Sequence, residues 1–231
     1  MINSNYTIFS FDFSMNKPAM CIYHENKIHF YTWPLSIDDK SEIALKSCNI
    51  NVHNRKLNSI DKKQYNSCTL VLEHVIRCKD LIEIILNDII KFINDNNIDK
   101  NNVIISSEGL SFASKGDATL NLAAYKQVLL VKLYEYGLTN IKTYSPISIK
   151  ATAGKSKKGE TSKTMMIDAI KDENPNNHKF IYTLIYNSDL LKKKTSYIST
   201  IDDLVDAYWC LKTTILKENL QINIWWQSIN Y

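Results

Sequence analysis

The sequence predicts an α/β protein in which a mixed central sheet is flanked by helices. Three short apolar runs follow one another near the N-terminus, and helical and strand-like segments alternate after them. Successive short strands favour an antiparallel meander, whereas a strand, a crossover helix and a second strand favour parallel pairing. With 231 residues, 45% of them hydrophobic, the chain can bury one full core. We therefore expect a single domain over residues 1–231.

The first three strands are predicted at 7–14, 19–25 and 27–33. TIFSFDFS carries one isoleucine and three phenylalanines and predicts a buried strand, and the polar pair Glu25-Asn26 separates the next two runs as a hairpin turn would. Residues 34–66 are polar and show no period. They predict a long insertion with room for one short helix.

The later elements follow from helical spacing and from the residues that interrupt it. Apolar residues recur at helical spacing from Ser67 to Asn94, which predicts a long amphipathic helix, and a second helix stops at Gly137. The remaining elements are a strand over NVIISSE, the second helix over 118–136, a short strand over NIKTYS, a helix from about Thr161 and a last helix over 200–217. Residues 173–199 show no regular pattern.

Composition excludes several functional classes. The chain contains no stretch of about 18 uncharged apolar residues, so no transmembrane helix is predicted. The N-terminus lacks the basic region of a signal peptide. The five cysteines include no C-x-x-C pair, which favours reduced thiols over a disulfide framework or a zinc site. We expect a cytoplasmic protein with no membrane partner; a viral protein acting in the host cytoplasm is an alternative.

The net charge of +4 is concentrated in one segment of the chain. Against the single acid Glu160, residues 150–163 carry five lysines: Lys150, Lys155, Lys157, Lys158 and Lys163. Such a loop suits a polyanion, although a lysine-rich loop that only faces solvent has the same composition. The chain has 26 lysines but only two arginines, the residue that most often reads bases directly. We expect recognition of backbone and shape, although an AT-rich genome would produce the same bias.

Four acidic residues stand within or beside apolar segments: Asp12, Glu108, Asp203 and Asp206. A carboxylate in such a place is costly unless its charge is compensated. Asp203 and Asp206 are three residues apart on the last predicted helix and share a face, whereas Asp202 points about 100° away. Two strands and a helix could bring the four together, where a pair of Mg²⁺ ions would compensate them.

Each acid also has an ordinary explanation. Acids in the first turn of a helix are common because they interact favourably with the helix dipole, and Asp12 could be a strand-end residue held by backbone amides. Gly109, Gly116 and Gly154 fall in loops expected near the same place, where glycine permits close backbone approaches. Taken together, the four acids favour a metal site.

These motifs resemble the RuvC-type Holliday junction resolvases of the ribonuclease H-like superfamily. An aspartate on the first strand of a meander, a glutamate after the next strand and D-x-x-D-A on a late helix follow the family's order. SEGLSFASKG resembles the E-G-x-S-F-x-S-K-G loop of phage-type members, SPISIKATAGKSKKGETSK their proline–lysine segment and glycine–lysine loop, and DDLVDAYWC their closing motif. The resemblance runs from about residue 7 to 217, apart from 34–66 and 173–199.

The resemblance implies a ribonuclease H-like fold and a Mg²⁺-dependent crossover junction endodeoxyribonuclease that uses two ions, which Mn²⁺ can replace. Asp12, Glu108, Asp203 and Asp206 would be the catalytic residues and the metal ligands. Branched DNA would be the partner, cut in recombination or repair by a homodimer. The DNA-binding residues would be Phe112, Lys115, Lys150, Lys155, Lys157, Lys158 and Lys163. Lys150 and Lys163 would lie at the scissile phosphate. Phe112, one position from the family's aromatic, would lie beside the junction crossover.

Two other functions are compatible with the sequence. A nuclease of the same fold could act on RNA–DNA hybrid or in DNA packaging, although the lack of an ATPase P-loop would place a packaging motor on another chain. A branched-DNA-binding protein without activity is the second alternative. The complete set of four acids argues against it.

Overall fold

The strands of the central sheet coincide with the apolar runs near the N-terminus and with shorter runs later in the chain. The computed structural model describes residues 6–55, 67–109, 117–154, 163–172, 192–193, 196–197 and 199–222. Within them one sheet contains β1 (Thr7–Asp12), β2 (Ala19–His24), β3 (Lys27–Thr32), β4 (Ile50–Val52), β5 (Val103–Glu108) and β6 (Ile141–Tyr144). The strand order is β4-β3-β2-β1-β5-β6.

The sheet is mixed, as predicted. The pairs β1–β2 and β2–β3 are antiparallel, whereas β1–β5, β5–β6 and β3–β4 are parallel. Glu25 and Asn26 make the β2–β3 turn with φ angles of 48° and 63°, which suits a two-residue hairpin turn because it matches the twist of the strands. Three antiparallel strands followed by parallel ones, with helices on both faces, confirm the predicted ribonuclease H-like fold class.

Helices cover both faces of this sheet. They are α1 (Asp39–Ser47), α2 (Ser67–Asp95), α3 (Asp117–Glu135), α4 (Pro146–Thr152), α5 (Lys163–Asp172) and α6 (Ser199–Lys217). The long helix, the helix that ends before Gly137 and the last helix lie where the sequence predicts them. Gly137 has a φ of 101°, the left-handed conformation that ends helices and favours glycine. None of the helices in the described ranges is both long and apolar enough to cross a membrane.

Three elements differ from the sequence prediction. The insertion at 34–66 contains α1 and also β4, whose three residues are too few to show a period. The basic segment begins in a helix rather than a loop. Ser145 caps α4 and Pro146 occupies its first turn, which is a recognised helix start, but the lysines that follow favoured a loop in the sequence prediction. Within 173–199, β7 (Lys192–Lys193) pairs with β8 (Ser196–Tyr197). Residues 56–66 and most of 173–198 lie outside the described residues.

Alternation along the strands divides the core into two layers. Ile8, Cys21 and Ile104 face α6, α5, α4 and α1, whereas Phe9, Phe11 and Ile105 face α2 and α3. On the first side, the fully buried Trp209 of α6 donates its indole N–H to the carbonyl oxygen of Met166 at 3.0 Å. This bond fixes α5 against α6, and α6 lies directly across β1, β2 and β5.

Candidate active site

The parallel pairing of β1 with β5 places two of the predicted acids side by side. Ser10 pairs with Ser106 and Phe11 with Ser107, so the next step of the same register sets Asp12 beside Glu108. Both are the last residues of their strands and both are half-buried. Because side chains alternate along a strand, they share the sheet face of Ile8 and Ile104, which is the face covered by α6.

A buried polar group lies directly beneath this pair. The hydroxyls of Ser10 and Ser106, both fully buried, are 2.5 Å apart, and the Sγ of Cys210 lies 3.8 Å from the Ser106 hydroxyl. Cys210 belongs to α6, so these contacts fix where that helix crosses the two strands. On this face of the sheet, the serine pair is the next pair below the carboxylates.

Helix geometry brings the other two acids to the same side of α6. Asp206 precedes Cys210 by four residues and Asp203 precedes it by seven, spacings that place all three on one face. Both aspartates are half-buried, while Leu204, Val205 and Ala207 between and beside them are buried in the core. The face of α6 that meets Ser106 therefore continues into the pair of carboxylates.

Electrostatic coupling connects the two strand-end acids with α6. The pKa of the Cys210 thiol is raised to about 12, first by burial and then by the charges of Glu108 and Asp12, while the hydrogen bond with Ser106 and the charge of Lys126 act in the opposite direction. Burial also raises the pKa of Glu108, and the charges of Lys150 and Lys126 act in the opposite direction. Glu108 is thus a desolvated carboxylate whose environment leaves its negative charge incompletely compensated.

Lys126 is a member of the site that sequence reasoning missed. Its side chain is only 5% exposed, and its ammonium donates a hydrogen bond to the backbone carbonyl oxygen of Glu108. Burial lowers the pKa of Lys126, and nearby acidic groups, among them Glu108 and Asp12, raise it. A signal was available: Lys126 occupies the buried face of α3 with Leu129 and Leu133, and a charge on an apolar face needs compensation just as Asp12 does.

Gly109 permits a close backbone approach directly after Glu108. Its amide donates to the carbonyl oxygen of Tyr144 at 2.6 Å. A β-carbon at this position would lie 3.2 Å from that oxygen and 3.3 Å from the Cγ2 of Thr143. A side chain there would push β6 away from the end of β5, which agrees with the expectation that glycine allows a close backbone approach near the site.

The predicted DNA-binding residues are only partly within the described structure. Lys150 lies on α4, is half-exposed and acts electrostatically on Glu108. Lys163 is the first residue of α5, and its side chain is not among those described. Phe112, Lys115, Lys155, Lys157 and Lys158 lie outside the described residues.

The two arginines line a groove of 890 Å³ between α2 and the segments that follow β1, β3 and β4. Arg55 donates to the carbonyl oxygens of Trp33 at 2.7 Å and Met15 at 2.8 Å, and Arg77 forms an ion pair with Glu73. Both guanidinium groups are therefore engaged in holding the protein's own structure together.

The chemistry of the four acids fits a hard divalent cation. Carboxylate oxygens are the ligands that Mg²⁺ prefers, and an ion near Glu108 would supply the positive charge that its buried carboxylate lacks. Asp12 and Glu108 stand on neighbouring strands of a well-packed sheet, so their backbone positions are fixed without any ligand.

Comparison with known proteins gives a distant likeness. No family model matches the chain, and no curated protein has a matching sequence. The chain is similar to the Thermus thermophilus RuvC structure, with a TM-score of 0.47 and 10% identity over 93% of this chain and 96% of that one. It is also similar to T. thermophilus RuvC in complex with a Holliday junction substrate, with a TM-score of 0.48 and 9% identity over 94% and 96% of the two chains. These values carry no functional inference.

Glu108→Gln is expected to raise the thermal unfolding midpoint of the metal-free protein near neutral pH. Because burial raises the pKa of Glu108, the folded state binds its proton more tightly than the unfolded chain does. Stability is therefore lost as the pH rises from the ordinary carboxyl range through the raised pKa. Glutamine removes this loss.

The measurement is thermal unfolding in EDTA from about pH 4 to pH 7, the range in which a raised carboxyl pKa titrates. The advantage of Glu108→Gln over the wild type should grow as the pH rises. An advantage that does not change with pH would show that the charge of Glu108 is not its cause.

Proposed function

We propose that the protein is a structure-selective endodeoxyribonuclease that hydrolyses four-way or other branched DNA. The observation that carries the proposal is the placement of Asp12 and Glu108 at adjacent parallel strand ends, under the helix face that bears Asp203 and Asp206. Burial makes the charge of Glu108 unfavourable, so a carboxylate at this point costs stability unless a cation compensates it.

The four acids would hold two Mg²⁺ ions, for which Mn²⁺ could substitute. When bound, such ions activate water and stabilise the charge on a phosphodiester undergoing in-line displacement. The protein's own part is to hold the four carboxylates on rigid elements so that little rearrangement is needed on binding. Gly109 lets β6 approach the end of β5 closely, and Lys150, whose charge acts on Glu108, would bind the phosphate that is cut.

Several features support branched DNA as the substrate. The basic segment 150–163 begins in α4 beside Glu108 and can neutralise phosphates next to the site. Arg55 and Arg77 are engaged by the protein's own groups, which leaves lysines as the main cations for DNA. Lysine acts on phosphate as a point charge, so recognition would depend on the shape of the DNA more than on its sequence.

Cleavage assays on a panel of substrates test this function directly. The purified protein should nick an immobile four-way junction in Mg²⁺ but not in EDTA, and it should leave linear duplex of the same sequence intact. Flap DNA and RNA–DNA hybrid complete the panel. Equal cleavage of linear duplex or hybrid would replace the junction assignment with another nuclease activity of the same site.

Asp12→Asn should lower the cleavage rate by more than about 100-fold while leaving junction binding in Ca²⁺ nearly unchanged. Changes to residues behind metal ligands already cost about 10–100-fold, so the loss of a ligand should cost more. Asp95→Asn is the matched control, because Asp95 is an exposed acid on α2 paired with Lys91. A normal rate in Asp12→Asn would remove the metal site from consideration.

Replacing Lys155, Lys157 and Lys158 together by alanine should weaken junction binding and flatten its salt dependence. The slope of log affinity against log salt should fall by up to about 0.9 for each phosphate that the protein no longer neutralises, because fewer counterions are released. Alanine at Lys79, Lys91 and Lys132, exposed lysines paired with acids of their own helices, gives the same change in net charge. An equal slope in both triple variants would mean that Lys155, Lys157 and Lys158 do not neutralise DNA phosphates.

Symmetric cutting of a four-way junction requires two active sites, so the proposal includes a twofold homodimer. The first turns of α2 support an interface there, because their apolar side chains face outwards while Glu73 is buried in its pair with Arg77. The outward side chains are exposed by 41–66%: Val71, Leu72, Val75 and Ile76. Removing such a surface from water on association is favourable.

Val75→Glu is expected to shift the protein from dimer to monomer and to replace paired nicks on opposing strands by single nicks. Sedimentation and junction cleavage measure the two effects. Ile43→Glu is the control, since Ile43 is an apolar residue on α1 that is 67% exposed, compared with 58% for Val75. A wild type that is monomeric, or a Val75→Glu protein that remains dimeric, would exclude this interface.

A further inference from the structure

We propose that Lys126 is a positioning residue that stands in for a divalent cation in the metal-free protein and holds together the strand ends that carry Asp12 and Glu108. The inference rests on the proposed function, because it takes these two acids to be metal ligands. It concerns a different state of the protein, the one in which no ion is bound.

The first support is the position of the ammonium group. Lys126 is 5% exposed and donates to the carbonyl oxygen of Glu108, the last residue of β5. A buried ammonium is strongly unfavourable unless anionic or carbonyl groups surround it. Through this contact the ammonium reaches the end of β5, where the register of β1 sets Asp12 beside Glu108. The two carboxylates and Lys126 therefore depend on one another.

The second support is the direction from which Lys126 reaches the site. α3 packs on the opposite face of the sheet from α6, with Leu129 and Leu133 in the layer that contains Phe9 and Ile105. The contact of Lys126 with Glu108 thus links the far layer to the end of β5. Residues 110–116, which connect β5 with α3 along the chain, lie outside the described residues. In the part of the chain that the structure describes, the hydrogen bond from Lys126 connects α3 directly to Glu108.

The charges around Lys126 determine how its contact with Glu108 affects stability and metal binding. Without metal, neighbouring carboxylates repel each other, and an adjacent ammonium offsets part of that repulsion. With metal, the same ammonium adds positive charge beside the cation and weakens its binding. Lys126 should therefore stabilise the metal-free fold at the expense of metal affinity. A lysine with a merely structural role would stabilise both states equally.

Lys126→Met separates these two roles, and Lys132→Met on the exposed side of α3 is its control. Thermal unfolding is measured in EDTA and in Mg²⁺, and Mn²⁺ binding is followed by electron paramagnetic resonance. Lys126→Met should unfold several degrees lower than the wild type in EDTA and regain most of that loss in Mg²⁺. Its Mn²⁺ affinity should rise by about tenfold or more, since one repelling charge has been removed from the vicinity of the ion. Lys126→Arg, which keeps the charge, should behave more like the wild type.

An equal loss of stability in EDTA and Mg²⁺, with unchanged Mn²⁺ affinity, would overturn the inference. If Lys126→Met does not fold in EDTA, the double variant Glu108→Gln with Lys126→Met decides: folding of the double variant supports the compensation, and its failure overturns it. A failure of the proposed function itself is identified by comparing the thermal unfolding of the wild type and of Asp12→Asn in EDTA and in Mg²⁺. If these acids do not bind metal, Mg²⁺ would stabilise neither protein, or both to the same extent, whichever residue stands at position 126.

Discussion

The parallel pairing of β1 with β5 is the constraint on which the rest of the site depends. These strands are separated by more than ninety positions in the chain, yet their register sets Ser10 against Ser106 and carries on to Asp12 beside Glu108. The buried hydroxyl pair and Cys210 then fix the height at which α6 crosses. A slip of either strand by one residue would turn its acid to the opposite face, away from α6 and from the other acid, because strand side chains alternate.

The charged groups at the ends of β1 and β5 lower the stability of the folded protein. Burial makes the ionised form of Glu108 unfavourable, and the lysines that offset it come from two different layers, Lys150 from α4 and Lys126 from α3. Ionisable groups that are strongly perturbed by burial and by neighbouring charges are found preferentially at functional sites. The surrounding core, with Tyr208 and Trp209 fully buried in α6, supplies the stability that the site itself reduces.

α2, α3 and α6 were predictable because helical spacing repeats often enough along them to be recognised, and β1 to β3 because each contains a short apolar run. Glu25-Asn26 and Gly137 mark the ends of elements through local backbone chemistry. β4 was not predictable, since three residues on one edge of the sheet acquire strand structure only by pairing with β3. α4 is intermediate: Ser145 and Pro146 signalled a helix start, but the charge of the following residues suggested a loop.

The sequence alone determined which acids were unusual, because a carboxylate within an apolar segment is costly wherever the chain folds. Asp12 and Glu108 were identified in this way, and the spacing of Asp203 and Asp206 followed from helix geometry. Only the tertiary structure decided that Asp12 and Glu108 are neighbours, since pairing between distant strands has no local signal. The same holds for Lys126: its position in α3 shows a charge on an apolar face, but its partner on β5 belongs to another part of the chain. The order of residues determines local chemistry, whereas the proximity of distant residues depends on how whole elements pack.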